Sequence, residues 1–221
     1  MHAITPEIAH PRGRFEAAAA ALVGRRSFWV VLVLAIASWP AIWALRTPLP
    51  PPLPVLAAVP GFELTDQQGH RFGSEELAGR VWLASFIFTR CQTVCPAITS
   101  TMARIQGRTR NLAPAFRLVS FSVDPGFDTP GRLEAYARAH RASPRMWSFL
   151  TGPVEAVRSA VEQGLKVSMD PGGGDAAEIS HGTHLVLVDG RGRVRRYYDP
   201  GAPDVVDRVV RDVALVVNRG G

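Results

Sequence analysis

The sequence lacks both the excess of charge typical of a disordered chain and the clustered basic surface typical of a nucleic-acid-binding one. Charged residues make up 20% of the 221 residues and hydrophobic residues 47%, so the chain can bury a core. The net charge is +6, but the arginines are scattered and mostly neighboured by acidic residues. We therefore predict one folded domain with an extension and no binding of nucleic acid.

Charge is absent from residues 27–45, an apolar run long enough to span the roughly 30 Å hydrocarbon core of a membrane. The arginines at positions 12, 14, 25 and 26 place the tail, 1–26, in the cytoplasm by the positive-inside rule. We predict a single-pass transmembrane helix in a bacterial inner membrane, with the C-terminal domain in the periplasm. A cleaved signal peptide is the alternative, but the run is longer than usual for one and no clean cleavage site follows.

Residues 46–60 are rich in proline, which favours an extended polyproline II conformation and opposes helix. This segment is predicted to be a stiff linker that holds the domain up to roughly 40 Å from the bilayer.

From 61 to 221, strand-like and helix-like runs alternate. A hairpin is predicted to turn at Gln68–Gly69, and the apolar run 81–89 is typical of a central strand buried on both faces. Runs at 116–124 and 147–152 each precede a helical pattern, and a hairpin and a valine-rich amphipathic helix follow. Thr129 and Pro130 suit the N-cap and the first position of the helix that follows 116–124. This order predicts an α/β, thioredoxin-like fold, a mixed central sheet flanked by helices.

The two cysteines, Cys91 and Cys95, lie in TRCQTVCP between the central strand and the next helix. Pro96 suits the first position of that helix, and the helix N-terminus lowers the pKa of a nearby thiol. The resulting thiolates bind soft metals or attack disulfides. A disulfide that merely staples this short loop would remove little chain entropy, and thioredoxin-type redox motifs have two intervening residues rather than three.

Three motifs in the same order resemble the Sco/SenC family of copper chaperones: TRCQTVCP, SVDPGFDTP at 122–130 and ISHGTHLVLVDGRGRVRRYY at 179–198. The resemblance covers roughly residues 57–218 and fits a single N-terminal anchor. It implies that Cys91, Cys95 and His181 bind copper, Cu(I) or Cu(II), with His184 as the competitor of His181. Two thiolates and an imidazole suit Cu(I), whereas structural zinc sites generally have four protein ligands.

The resemblance also implies a function. A metallochaperone, rather than an enzyme, would deliver copper to the binuclear copper centre of cytochrome c oxidase subunit II, and a periplasmic thiol reductant would keep its cysteines reduced. The alternative is a thiol-disulfide reductase that acts on the oxidase's copper-ligand cysteines. A redox or copper sensor is a third reading.

Other polar residues receive weaker interpretations. Asp124 is expected to lie near the metal or face a partner, or else to form an ordinary Asp-Pro turn, while Asp128 is expected at a helix start. His140 is expected to be solvated. Four arginines of the last hairpin are expected to form a solvated face, or to guide an acidic partner by long-range attraction: Arg191, Arg193, Arg195 and Arg196.

Overall fold

Residues 26–46, 50–169 and 184–219 are described by a computed structural model of the chain. They belong to two units, one ending at Pro51 and one beginning at Pro52. The first contains the helix α1 (Arg26–Arg46), which includes Pro40. Many of its large apolar side chains are exposed: Trp29, Val30, Val31, Val33, Leu34, Ile36, Trp39, Ile42 and Trp43. Among the residues described, no helix is both long enough and apolar enough to cross a membrane.

The second unit is an α/β structure. Its strands are β1 (Ala57–Ala58), β2 (Glu63–Asp66), β3 (Arg71–Gly73), β4 (Val81–Ile87), β5 (Phe116–Ser122), β6 (Trp147–Thr151), β7 (Leu185–Val188) and β8 (Arg193–Tyr198). Its helices are α2 (Val94–Arg108), α3 (Pro130–Ala139), α4 (Val154–Arg158), which continues as a π-helical turn at Ser159–Gly164, and α5 (Val205–Asn218). Short 3-10 turns lie at Ser74–Leu77 and Arg110–Leu112. In this described part, the strands form one sheet in the order β1-β8-β7-β4-β5-β6-β2-β3.

Strand β4 lies inside the sheet, and all of its residues are buried. It pairs in parallel with β5 and antiparallel with β7, and β5 pairs in parallel with β6. Its β-branched and aromatic side chains suit a strand that is covered on both faces. The predicted central strand and mixed sheet are therefore confirmed.

Alternate residues of β4 point to opposite faces of the sheet and enter two separate apolar cores. Leu83 and Ile87 pack with buried residues of α2, α3 and α5. Trp82 and Phe86 pack on the other face with residues of α4 and the π-helical turn. Helices thus cover both faces of the sheet, as predicted.

Two hairpins lie where the sequence predicts them. Strands β2 and β3 pair antiparallel around Gln68–Gly69, and Gly69 has a φ of +84°, a conformation that glycine adopts most readily. Strands β7 and β8 also pair antiparallel. Because β2 pairs with β6 as well, the first hairpin extends the sheet at its far edge.

The helix starts agree only in part with the predictions. Thr129 caps α3 by accepting a hydrogen bond from a first-turn amide, and Pro130 is the first helical residue, as predicted. Helix α2 instead begins at Val94, so Pro96 is its third residue and Cys95 lies within the first turn. Proline is tolerated there because the first amides of a helix have no intrahelical acceptor.

The end of the predicted linker, 46–60, contacts the sheet. Strand β1 pairs antiparallel with β8, and the Arg195 guanidinium donates to the backbone carbonyls of Leu53 and Pro54. The second compact unit therefore begins earlier along the chain than residue 61.

Three arginines of the β7–β8 hairpin are ion-paired. Asp189 follows β7 with its side chain fully buried, and it pairs with Arg193 and Arg195 at 2.8 Å each. Arg196 pairs with Asp212 at 2.8 Å. The expectation of a solvated face is wrong for Arg193 and Arg195, because they lie over a buried carboxylate that the sequence does not reveal. The side chain of Arg196 is 44% exposed, as expected.

Candidate metal centre

The two cysteines lie where β4 leads into α2. Strand β4 ends at Ile87, a short loop carries Cys91, and Cys95 is the second residue of α2. Cys95 is buried, whereas Cys91 is partly exposed, and both are free thiols. One sulfur therefore reaches solvent and the other belongs to the core.

The first turn of α2 donates to the exposed thiol. The Cys95 amide lies 3.3 Å from the Cys91 Sγ, and the Cys91 amide donates to the carbonyl of Phe88 at 3.1 Å. Partial burial raises the pKa of Cys91. Hydrogen bonds from the thiol and amide of Cys95 and from the amides of Thr93 and Val94 outweigh that effect, so the pKa of Cys91 lies below its ordinary value. Cys91 is thus the more readily ionised thiol.

The second thiol has the opposite character. Burial raises the pKa of Cys95 to about 12, and its hydrogen bond with Cys91 acts in the same direction. A metal that binds both sulfurs must displace the proton from Cys95, so binding is expected to release protons. The pair can alternatively react as a dithiol, with Cys91 attacking first.

Helix α3 supplies a tyrosine that the sequence reasoning missed. The Thr99 hydroxyl donates to the Cys95 carbonyl and also shares a hydrogen bond with the Tyr136 hydroxyl, both at 2.8 Å. Burial raises the pKa of Tyr136 to about 12. His140 stacks on this ring with centroids 4.4 Å apart, so it is half-buried rather than solvated. The helical spacing of Tyr136 from buried Leu133 could have signalled this inward orientation.

Asp124 forms a turn, one of the two roles predicted for it, because its carbonyl accepts hydrogen bonds from the amides of the residues three and four positions later. Asp124 is partly exposed and accepts a 2.6 Å hydrogen bond from Arg90, the residue before Cys91. Asp128 does not cap a helix, because Thr129 does. Instead its carboxylate is fully buried and accepts hydrogen bonds from the amide and hydroxyl of Thr89.

The predicted histidine ligand, His181, lies outside the described residues. His184 is described: it precedes β7, and its ring lies 6.3 Å from that of Tyr197. Within the described ranges, no group of three or more histidine, cysteine or acidic side chains is arranged to hold a metal. The described part of the site therefore contributes two thiols.

Comparison with known proteins identifies the family. The SCO1/SenC family model matches residues 54–218, which include both cysteines and the whole sheet. The chain belongs to the SCO1/SenC family. A SCO1 protein homologue of Bacillus subtilis is 33% identical over 162 residues, which are 72% of this chain and 83% of the relative.

Solved SCO1/SenC structures confirm the thioredoxin-like Sco fold. BsSco, described as a member of the Sco family of cytochrome c oxidase assembly proteins with a disulfide switch, matches with a TM-score of 0.65 and 30% identity over 76% of this chain and 98% of its own. A SCO1/SenC lipoprotein of Bacillus anthracis matches with a TM-score of 0.64 and 32% identity, over 72% of this chain and 95% of its own. ScoI of Bradyrhizobium japonicum, solved with copper bound, matches with a TM-score of 0.58 and 22% identity, over 72% of this chain and 99% of its own. At this identity the match supports the fold alone.

Proposed function

We propose that this protein is a copper metallochaperone in which Cys91, Cys95 and His181 hold the copper ion. The observation that carries the proposal is the thiol pair at the start of α2, where the Cys95 amide donates to the Cys91 sulfur. The lowered pKa of Cys91 favours entry of a soft cation, and thiolate ligands select Cu(I). A relative from Stutzerimonas stutzeri that is 33% identical over 147 residues and is named as a copper-binding protein supports this choice of metal.

The position of β7 supports His181 as the third ligand. Because β7 runs antiparallel to β4, with Ala84 opposite Val186, its first residues lie beside the end of β4 that leads to the cysteine loop. His181 precedes His184 by three residues, a reach of at most about 10 Å along an extended chain. An imidazole from this segment would complete a set of two sulfurs and one nitrogen.

The proposed client is cytochrome c oxidase subunit II, which would receive copper at its binuclear centre. Support comes from BsSco, a relative described as a cytochrome c oxidase assembly protein. Delivery requires reduced thiols, so a periplasmic thiol reductant is a second proposed partner.

A thiol-disulfide reductase is the second candidate function. The contrast between an ionisable, partly exposed Cys91 and a buried Cys95 favours it, because a dithiol reductant needs one attacking and one resolving thiol. Its proposed substrate is the oxidised pair of copper-ligand cysteines in subunit II.

We also propose attachment to a bacterial inner membrane through the segment 27–45, with the folded unit in the periplasm. The support is the uncharged apolar run in the sequence and the lipoprotein nature of the Bacillus anthracis relative. Release of the protein from membranes by alkaline carbonate would contradict an integral anchor, whereas extraction by detergent alone would support it.

Mixing the chain with the copper domain of subunit II distinguishes the two functions. The copper-loaded chain is added to the reduced domain, and the metal-free, reduced chain is added to the oxidised domain. The chaperone account predicts copper transfer by wild type, which His181→Ala abolishes. Thiol exchange without transfer would instead establish the reductase, and His181→Ala should leave that exchange intact.

A further inference from the structure

Asp128 is a fully buried carboxylate close to the cysteine loop. It accepts hydrogen bonds from the Thr89 amide at 3.1 and 3.2 Å, from the Thr89 hydroxyl, and from the Ser122 hydroxyl at 2.6 Å. In the part of the chain that the structure describes, these partners are all uncharged. A buried carboxylate without a cation is costly and depends on such donors.

These hydrogen bonds join two segments at the same end of the sheet. Thr89 lies between the end of β4 at Ile87 and the thiol of Cys91, and Ser122 is the last residue of β5. The direct pairing of β4 with β5 ends nearby, where the Val123 amide donates to the Ile87 carbonyl at 2.9 Å. Beyond that point, Asp128 links the cysteine loop to the neighbouring segment.

We propose that Asp128 is a positioning residue of the thiol pair: by holding the backbone and hydroxyl of Thr89, its carboxylate fixes the loop that places Cys91 beside the Cys95 amide. The inference concerns the metal-free fold, and only its copper measurement rests on the proposed function. Asp128 is not assigned as a copper ligand.

Asp124 offers a matched control. It belongs to the same loop and is also a carboxylate, but its side chain is 23% exposed and pairs with the exposed Arg90. Asn is nearly isosteric with Asp and removes the charge in both cases. At position 128, the Asn side chain would also place its NH₂ group, a hydrogen-bond donor, against partners that are themselves donors.

The primary test measures how fast iodoacetamide alkylates each cysteine in the reduced, metal-free full chain. In wild type, Cys91 should react faster than Cys95. Asp128→Asn should lower the ratio of the Cys91 alkylation rate to the Cys95 rate by about tenfold, since a charged hydrogen bond lost from the loop has an effect of this order. Asp124→Asn should change it by no more than about twofold. An unchanged ratio in Asp128→Asn, or equal changes in both variants, overturns the proposal.

Variants of Thr89 distinguish the positioning of the loop from a direct effect of the Asp128 charge on the thiols. Thr89→Val removes the hydroxyl without changing any charge, and it should lower the ratio by roughly three- to tenfold. Thr89→Ser keeps the hydroxyl and should restore the wild-type ratio, a rescue that general destabilisation would not give. If Asp128→Asn fails to fold, this pair decides: a ratio in Thr89→Val equal to wild type overturns the proposal.

Copper affinity gives an independent readout through competition with a Cu(I) chelator. Asp128→Asn should weaken binding about tenfold relative to Asp124→Asn. If wild type binds no copper, the proposed function fails, and alkylation still tests the positioning role. If wild type binds copper and Asp128→Asn binds it equally well, the positioning role is overturned while the proposed function stands.

Discussion

At pH 8, iodoacetamide is expected to label Cys91 far faster than Cys95 in the reduced protein. With a pKa of about 12, Cys95 is ionised to about one part in 10⁴, whereas an ordinary thiol with a pKa near 8.5 is about a quarter ionised. A thiolate with a higher pKa is intrinsically more nucleophilic, which reduces the resulting difference in alkylation rate by about one and a half orders of magnitude. A ratio of about 50 to 100 remains from ionisation alone, and the burial of Cys95 adds to it.

The assay follows both cysteines by mass spectrometry of digested, time-quenched samples. Raising the pH toward 12 should narrow the ratio as Cys95 ionises. Cys91→Ser is a useful control, because it removes one cause of the raised pKa of Cys95 but leaves burial, the largest one. Equal labelling of the two cysteines at pH 8 in the folded protein would refute the assignment of a buried, protonated Cys95.

Three further outcomes concern stability and can be measured by urea unfolding. Asp189→Asn should lower the free energy of unfolding by about 3–5 kcal/mol, because it leaves two arginines without their buried carboxylate. A decrease below about 1 kcal/mol would argue against that network. Gly190→Ala should lower the free energy of unfolding by about 1–3 kcal/mol, since the added Cβ would lie 2.8 Å from the Gly79 carbonyl carbon. As a control, Gly107→Ala, at an open helical position, should raise the free energy of unfolding by about 0.5–1 kcal/mol. Between about pH 8.5 and 12, the free energy of unfolding should fall as the pH rises, because folded Cys95 keeps a proton that the unfolded chain releases; a rise over this range would contradict the burial of that thiol.

The sequence predicted the parts of the fold that depend on local patterns. A continuous apolar run identified β4, and the Thr129–Pro130 pair identified the start of α3, because both signals lie within a few neighbouring residues. Strand β1 escaped detection because Ala57–Ala58 has no strand pattern of its own and forms only by pairing with β8.

The surroundings of the thiols were harder to predict, since burial depends on distant segments. Asp124 and Asp128 look alike in SVDPGFDTP, and only the fold shows that one pairs with Arg90 while the other is buried against Thr89. The hairpin arginines similarly gave no sign that Asp189 would fold beneath them. The cysteines were identified because their spacing and position before a helix are local features.

Copper loading of the reduced full chain under anaerobic conditions tests the central claim most directly. The account predicts one equivalent of Cu(I) bound by wild type and by His184→Ala, and loss of that copper in Cys91→Ser and in His181→Ala. Wild type that binds no copper, or His181→Ala that holds copper as tightly as wild type, would contradict the proposed three-ligand site and favour the thiol reductase.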